Sequence, residues 1–311
     1  MTNRDSTPQH QTADATSGLG RRAFLGTASS LVLAGCLGGG DGETARARAC
    51  VWIALDGGIS HVDSFDPKRT SPFRAISSKT PGLELCEFLP RLAERSDRLT
   101  FIRGMSGQLR DHQLARYAIE TGFEPELGTT HRHVGAVGDR MAVIGGLLPA
   151  GIECRAARTA SCADESKAGE VLAALRSGET FIRVQLGDWD DHVAIEERLP
   201  AKLRQLDRSL AELLDGLRDV WDSTLVVIGS EFGRSPTMNA TGGRDHHSDA
   251  WTVALGGGPI SGGRVVGATD PDGAFAIDGK VQIADLRAIC SLALGLDHAA
   301  SGALSSIITN V

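Results

Sequence analysis

Short, continuous apolar runs alternate with helical patterns along the chain from residue 49 onward. Runs without polar alternation are typical of strands that are buried on both faces of a parallel sheet. The predicted strands cover residues 49–55, 99–102, 181–186, 224–229 and 251–255. The helical patterns between and after them cover residues 86–95, 112–122, 165–176, 199–217 and 284–294.

The clearest helix carries leucines at alternating spacings of four and three, which form one apolar stripe. These are Leu199, Leu203, Leu206, Leu210, Leu213 and Leu217. Pro200 suits the first turn of this helix, where a backbone N–H is not needed. The strand and helix alternation predicts an α/β fold, with a mostly parallel central sheet and helices on both faces. Residues 49–311 show no repeat or linker, so we expect a single domain there.

Composition narrows the class of protein. The chain has 311 residues, of which 41% are hydrophobic and 23% charged, an ordinary globular balance. The net charge of −7, without basic clusters, argues against a nucleic-acid partner. Gly accounts for 38 residues without a collagen period, which indicates many tight turns. Aromatic residues make up only 5%, so the core is expected to be aliphatic.

The first 36 residues have the features of an export signal. Arg21-Arg22 followed by Phe24-Leu25 and a short apolar run resembles a twin-arginine (Tat) signal. Leu33-Ala34-Gly35-Cys36 resembles a lipobox, which implies lipidation of Cys36; the alternative is a plain N-terminal anchor. Residues 37–48 are predicted to be a flexible tether. We therefore expect an exported protein of the cell envelope that contacts the membrane only through its lipid anchor.

The other cysteines form no Cys-x-x-Cys pair, which argues against a zinc ribbon. They are Cys50, Cys86, Cys154, Cys162 and Cys290. Cys154 and Cys162 are close enough in sequence for a local disulfide in an oxidising compartment, or they are two unpaired residues.

Polar residues that follow the predicted strands are the main candidates for a site, because ligands bind beyond the carboxyl ends of such strands. Asp56 follows the first strand, Asp188, Asp190, Asp191 and His192 follow the run at 181–186, and Glu231 follows 224–229. Asp245, His246 and His247 precede the strand at 251. Carboxylates with neutral imidazoles suit Zn²⁺, Mn²⁺ or iron. A cation also relieves the repulsion among clustered acids.

Several of these segments resemble motifs of the alkaline phosphatase superfamily. Asp188-x-x-x-His192 resembles its Asp-x-x-x-His metal motif, and residues 224–233 resemble its strand ending in Ser-Asp-His-Gly. Leu55-Asp56-Gly57-Gly58 is similar to its first strand with the first metal aspartate. Residues 112–122 are similar in frame to the sulfatase signature, with His112 at the nucleophile position and Arg116 four residues later.

A closer resemblance is to the domain of unknown function 1501 (DUF1501) family, a Tat-exported, sulfatase-like branch. The matching segments are 57–68, 230–236, 243–247, 256–258, 262–263 and 267–270, so the resemblance spans about residues 50 to 297. It implies an alkaline phosphatase/sulfatase-like fold and a metal-dependent hydrolase of phosphate or sulfate esters. The expected substrate is a small-molecule or glycan ester, and the expected cofactor is one or two divalent ions (Zn²⁺, Mn²⁺ or Ca²⁺).

The resemblance assigns roles residue by residue. The expected metal ligands are Asp56, Asp188, His192, Glu231, Asp245 and His246. The expected catalytic residues are His112, Ser106, Arg116 and Arg244. His112 stands at the nucleophile position, with Ser60 and Ser106 as alternatives, and either Arg116 or Arg244 is expected to hold the transferred group.

The chain departs from the superfamily pattern at Glu231-Phe232, which stands where an Asp-His pair is usual. Phe cannot bind a metal, so another residue must supply that ligand. The loss of the usual histidine at Phe232 and the absence of a clear nucleophile favour an alternative function. That alternative is a catalytically degenerate, lipid-anchored surface module that binds glycans or a partner. We do not expect Ser60, His61 and Asp63 to form a triad, because triads are assembled in space, and we expect His61 and Asp63 to shape the site. His131 and His133 are expected at the surface.

Overall fold

The computed structural model describes residues 46–136, 140–144, 152–153, 157–160 and 167–296. The predicted export signal (1–36) with Cys36, the tether up to residue 45, and the Cys154 and Cys162 pair lie outside the described residues. No helix among the described residues is both long and apolar enough to cross a membrane.

The described part of the chain forms a central sheet of eight strands. Their bounds are β1 Ala49–Ala54, β2 Leu99–Met105, β3 Met141–Ile144, β4 Ala157–Ala160, β5 Phe181–Gln185, β6 Thr224–Gly229, β7 Trp251–Gly256 and β8 Arg264–Val266. The spatial order is β8-β2-β7-β6-β1-β5-β3-β4. Only β7 runs antiparallel to its neighbours β6 and β2, while every other neighbouring pair in this described sheet is parallel.

The carboxyl ends of β1, β5 and β6 meet at one edge of the sheet. In the parallel register of β1 and β6, Ala49 pairs with Thr224 and Ala54 with Gly229. On its other side, Ala54 of β1 pairs with Gln185 of β5. The loops that leave these three central strands therefore start side by side, which places their polar residues in one area.

Helices cover both faces of the sheet. Their bounds are α1 Pro90–Ala93, α2 His112–Thr121, α3 Lys167–Arg176, α4 Ile195–Gly216 and α5 Ile283–Leu294. The predicted leucine stripe of α4 is buried in a core that includes Val51 and Ile53. The opposite face of β1 packs Trp52 in a second core with Leu286 and Ile289 of α5. The two cores lie on opposite sides of the sheet, since successive strand residues face opposite ways.

Four two-stranded ribbons extend beyond the sheet. They are Ala75–Ser77 with Glu84–Cys86, His131–Arg132 with Ile152–Glu153, Gly233–Arg234 with His246–His247, and Ala268–Thr269 with Ala276–Asp278. The ribbon of Gly233–Arg234 with His246–His247, here called the site ribbon, follows β6 directly.

The predicted fold class is confirmed, and each of the five predicted strands is present. Sequence patterns missed β3, β4 and β8, which have four, four and three residues and give little periodicity. The helix predicted over 86–95 is limited to Pro90–Ala93, because Glu84–Cys86 pairs in a ribbon before it. Helix α4 begins at Ile195, so Pro200 lies inside it and not in its first turn.

Candidate metal centre at the carboxyl edge of the sheet

Two imidazoles and a carboxylate converge where the loop after β5 meets the site ribbon. Nε2 of His192 lies 3.0 Å from Nε2 of His246 and 3.0 Å from Oδ1 of Asp190. Nε2 of His246 lies 3.3 Å from the same oxygen. Helix α2 adds His112, whose Nε2 lies 3.3 Å from Oδ1 of Asp190. One donor atom each from His112, Asp190 and His246 lies within 4.8 Å of the others.

The spacing of several of these donor pairs suits a tetrahedral ion. Ligand bonds of about 2.0–2.1 Å, the range for nitrogen on Zn²⁺, place neighbouring donors about 3.3–3.4 Å apart. The contacts that join Asp190 to the three imidazoles are 3.0–3.3 Å. His112, Asp190 and His246 form a group that fits a metal, and Nε2 of His192 offers a further nitrogen beside it.

Hydrogen bonds fix which ring nitrogen of each histidine faces the cluster. Nδ1 of His246 lies 2.7 Å from the carbonyl oxygen of Arg110, which can only accept, so Nδ1 carries the proton. Nδ1 of His192 lies 3.1 Å from Oδ1 of Asp245, which is oriented in turn by Asn239 at 2.9 Å. In the neutral rings both Nε2 atoms are then unprotonated lone-pair donors. Two such atoms 3.0 Å apart repel each other, and positive charge beside them relieves the repulsion. Nη1 of Arg234, 3.2 Å from Nε2 of His192, supplies part of that charge, and a metal ion in the cluster would supply more.

The pKa of His246 is lowered, first because burial disfavours the charged ring. This keeps the ring in the neutral form that a metal requires.

Glu231 positions His112 rather than facing the cluster itself. Its Oε1 accepts a hydrogen bond from Nδ1 of His112 at 2.8 Å and another from the N–H of Gly57 at 2.9 Å. Its Oε2 accepts from the Ser230 hydroxyl at 3.1 Å. Burial opposes ionisation of Glu231, but these hydrogen bonds outweigh it and lower its pKa. The same hydrogen bond raises the pKa of His112. The arrangement is that of a carboxylate that orients a metal-binding imidazole.

Phe232 forms an aromatic wall of the cluster. Its ring centroid lies 5.0 Å from that of His112 and 4.7 Å from that of His246. Phe232 offers no donor atom, and the carboxylate in the cluster is that of Asp190, which sequence reasoning placed after the strand but did not choose as a ligand.

Arg234 of the site ribbon holds Asp190 in place. Its fully buried guanidinium donates to the carbonyl oxygens of Gly57, Gly58 and Arg244, with 2.8 Å to Gly58 and 2.9 Å to Arg244. Its Nη2 lies 2.5 Å from Oδ1 of Asp190. Burial works against ionisation of Asp190, but Arg234 and the imidazoles outweigh it and hold its pKa well below the usual range. Sequence reasoning missed Arg234.

Local backbone features place these side chains. Asp111 caps α2 by accepting from the N–H groups of Gln113 and Leu114, which fixes His112 as the first helical residue. Gly57 has φ +105°, and a Cβ there would lie 2.6 Å from the backbone nitrogen of Asp190. The turn after β1 can thus touch the loop after β5 only with a glycine at this position.

Asp56 lies beside the cluster but faces arginines. Both of its carboxylate oxygens are 2.9 Å from Nη2 of Arg183, and Oδ1 is 3.5 Å from Nε of Arg116. The same Nη2 of Arg183 lies 2.7 Å from Glu120, whose other oxygen is 3.4 Å from His133. Burial raises the pKa of Asp56 and lowers that of His133. His133 is 2% exposed, so the expectation of a surface position was wrong.

The remaining predicted residues are placed as follows. Asp188 is exposed, and its Oδ1 accepts only a long 3.4 Å contact from the N–H of Asp190. Arg244 is fully buried. Its Nε and Nη2 donate to the two oxygens of Asp63 at 2.6 and 3.1 Å, and Nη1 and Nη2 also donate to carbonyl oxygens, so Arg244 stabilises the structure instead of holding a transferred group. Ser106 is buried, and its hydroxyl makes no hydrogen bond to any described residue.

The Ser60, His61 and Asp63 segment forms no triad. Ser60 donates to Asp63 at 2.5 Å, while His61 directs Nε2 to the carbonyl oxygen of Gly273 at 2.8 Å. Nδ1 of His61 has no hydrogen-bond partner in the described structure. Asp63 fixes Arg244, which carries the loop that precedes His246.

Comparison with known proteins assigns the chain to a family. A model described as "Protein of unknown function (DUF1501)" matches residues 47–141 and 153–303. No curated protein matches the sequence.

Two solved structures with TM-scores above 0.5 share the fold. The crystal structure of Ps i-CgsB aligns with a TM-score of 0.52 at 12% identity, covering 85% of this chain and 77% of that one. The lipoteichoic acid synthase LtaP from Listeria monocytogenes aligns with a TM-score of 0.52 at 10% identity, covering 88% of this chain and 79% of that one. Alkaline phosphatase from the Antarctic bacterium TAB5 aligns with a TM-score of 0.47 at 10% identity, covering 82% of this chain and 100% of that one. At these identities the likeness concerns the fold alone.

Proposed function

The chain belongs to the DUF1501 family, and from this premise we propose that it is a metal-dependent hydrolase of phosphate or sulfate esters. The observation that carries the proposal is the group of four donor atoms from His112, Asp190, His192 and His246. Two of them are Nε2 atoms 3.0 Å apart that face each other, a contact that a bound cation would stabilise. The site lies at the sheet edge where α/β folds bind their ligands.

Zn²⁺ is the ion that we propose first, with Mn²⁺ second. Three imidazole nitrogens and one carboxylate form a donor set for these ions, whereas Ca²⁺ prefers six to eight oxygens. When bound, the ion would polarise a phosphoryl or sulfuryl oxygen and neutralise charge that develops on it. Asp190, His192, His246 and His112 would hold it, and Glu231 would keep the proton of His112 on Nδ1.

Arg116 is the residue that we propose to hold the transferred group. It lies one turn after His112 on α2, and its side chain is 26% exposed. Its Nε is 3.5 Å from Asp56 and its Nη2 is 3.8 Å from Glu231, and its Nε makes no hydrogen bond in the described structure. A guanidinium with free donors beside the cluster suits a tetrahedral anion.

Water is the attacking group that we propose. Nδ1 of His112 is engaged by Glu231 and its Nε2 faces the other donors, so His112 acts as a ligand and not as the nucleophile. The Ser106 hydroxyl has no hydrogen-bond partner among these residues.

The proposed location is the outer face of a cell membrane, reached through the Tat pathway and held by a lipid on Cys36. Support comes from Arg21-Arg22, the short apolar run and Leu33-Ala34-Gly35-Cys36. A small-molecule or glycan ester is the proposed substrate.

The test is the metal content of the purified chain, measured with the hydrolysis of aryl phosphate and aryl sulfate esters. We expect bound metal and turnover, and removal of the ion by a chelator should abolish turnover until Zn²⁺ is restored. Metal without turnover supports the second candidate, a binding module with the same fold. The specific observation in its favour is that neither predicted side-chain nucleophile is placed to attack. A chain that takes up no metal overturns the proposed hydrolase.

A further inference from the structure

Arginine side chains surround the carboxylate of Asp56, the residue that follows the central strand β1. Arg183 contacts both carboxylate oxygens at 2.9 Å, and Arg116 approaches one of them at 3.5 Å. The Asp56 side chain is only 8% exposed, so little water can replace either contact. Asp56 is therefore already neutralised without any metal ion.

Burial and contacts to Glu120 fix the position of the Arg183 side chain. It projects from the middle of β5, and its side chain has no exposed surface. Its Nε lies 3.0 and 3.2 Å from the two oxygens of Glu120, and its Nη2 lies 2.7 Å from one of them. Glu120 itself is 1% exposed on the inner side of α2. Moving the guanidinium aside would take the nearest cation from two buried carboxylates and leave them with longer contacts to Arg116 and His133, which is strongly unfavourable.

A divalent ion bound to Asp56 would stand next to this guanidinium. Metal–oxygen bonds are about 2.0–2.2 Å long, and the oxygen that would bind the ion already accepts a hydrogen bond from Arg183. Two positive groups on one buried carboxylate repel each other strongly, because little solvent screens them. Asp190 also accepts from an arginine, Arg234, but through Oδ1 alone, and imidazole nitrogens face it. Both oxygens of Asp56 are taken by Arg183, and among the described residues Asp56 belongs to no group of three metal-ligating side chains. The position beside Asp56 therefore does not fit a metal, whereas the cluster around Asp190 does.

We infer that the chain binds one divalent ion and not two, and that the guanidinium groups of Arg183 and Arg116 supply the positive charge at Asp56 where a second ion would otherwise be needed. This inference rests on the proposed function for the first ion. The inference makes Arg183 a positioning residue, because Arg183 holds Asp56 and the Asp56 carboxylate in turn orients Arg116. It also removes Asp56 from the set of expected metal ligands.

The first experiment is a titration of the metal-free full chain with Co²⁺, followed by visible absorption, which reports a tetrahedral ion bound to nitrogen donors. We expect saturation at one equivalent. Zinc content after dialysis against excess Zn²⁺, measured by mass spectrometry, should also be one ion per chain. Two ions by either measurement overturn the inference but leave the proposed hydrolase standing. No bound ion overturns the proposed hydrolase itself and the inference with it.

The second experiment compares Asp56→Asn with His246→Ala. Asparagine keeps the shape of Asp56 and cannot act as a charged ligand, so the inference predicts that one ion remains and the Co²⁺ spectrum is unchanged. His246→Ala should reduce binding at least 100-fold. Arg116→Met, a change at a partly exposed position, is a further variant that should keep one ion if Asp56→Asn fails to fold. Loss of the ion in a folded Asp56→Asn chain overturns the inference.

Discussion

Nδ1 of His112 lies 2.8 Å from Oε1 of Glu231, so the acidic residue that ends β6 orients a ligand instead of binding the ion. Orienting carboxylates of this kind typically contribute 10–100-fold to metal affinity. We predict that Glu231→Gln binds Zn²⁺ about 10–100-fold more weakly by chelator competition. Glu94→Gln, at a side chain that is 74% exposed, is the control and should leave the affinity unchanged. An unaltered affinity in Glu231→Gln would refute the orienting role.

The choice between two nearby aspartates can be tested with matched variants. Oδ1 of Asp190 lies 3.0 Å from Nε2 of His192, whereas Asp188 is exposed and contacts none of the imidazoles. We predict that Asp190→Asn lowers zinc affinity by roughly 100-fold or more, since it removes a charged ligand. Asp188→Asn should bind zinc like the parent chain. The reverse result would restore Asp188 as the ligand.

Arg116 is predicted to act on the substrate and not on the ion. Loss of one preorganised donor to a developing charge typically costs about 10²–10³ in turnover. We expect Arg116→Met to lower kcat/KM for an aryl ester by about that factor, with zinc content unchanged. Arg110→Met is the control, because that side chain is 55% exposed and is paired with Asp249 at 2.8 Å. Similar losses in both variants would argue against a specific role for Arg116.

The charge of the site predicts which esters it prefers. Asp245 is left out of the charge count because its side chain is 64% exposed and screened by solvent. Three positive side chains (Arg116, Arg183 and Arg234) and four negative ones (Asp56, Glu120, Asp190 and Glu231) then leave one negative charge. One divalent ion turns this into a single positive charge, which matches an anion with one negative charge. We therefore expect higher kcat/KM for aryl sulfates or phosphodiesters than for aryl phosphate monoesters. A strong preference for aryl phosphate monoesters would contradict this count of the charges in the site.

Much of the fold, but less of the site, follows from sequence patterns. Strand β6 was predicted with its observed bounds, because a buried parallel strand needs an unbroken apolar run. The pattern cannot distinguish Asp188 from Asp190, since a loop has no fixed period. Arg183 gave a usable signal that was not followed: an arginine inside the apolar run Phe-Ile-Arg-Val indicates a buried ion pair. Its partner Glu120 lies 63 residues away and is identified only by the fold.

Acid should destabilise the protein partly through His61. Burial lowers the pKa of His61 from 6.5 to about 4, so between those values the unfolded chain binds a proton that the folded chain does not. Stability from this group is present above pH 6.5 and is lost as the pH falls. At about 1.4 kcal/mol per pKa unit, the loss approaches roughly 2–3 kcal/mol near pH 4.5.

His61→Gln removes this titration while keeping a hydrogen-bond donor near Gly273. We predict that the drop in unfolding free energy from pH 7.5 to pH 4.5, measured by urea denaturation, is about 2–3 kcal/mol smaller in the variant than in the parent chain. Equal drops in both proteins would show that the imidazole is not the group responsible.

The site ribbon pairs Arg234 with His246 and Gly233 with His247. Neighbouring strand residues face opposite ways, so His246 reaches Asp190 while Nε2 of His247 lies 2.6 Å from the carbonyl oxygen of Ala274. A one-residue slip in the pairing of this ribbon would exchange the two histidines. Over evolutionary time, the pairing of Arg234 with His246 should therefore be kept wherever the centre is retained, while the loop between positions 235 and 245 is free to change in length.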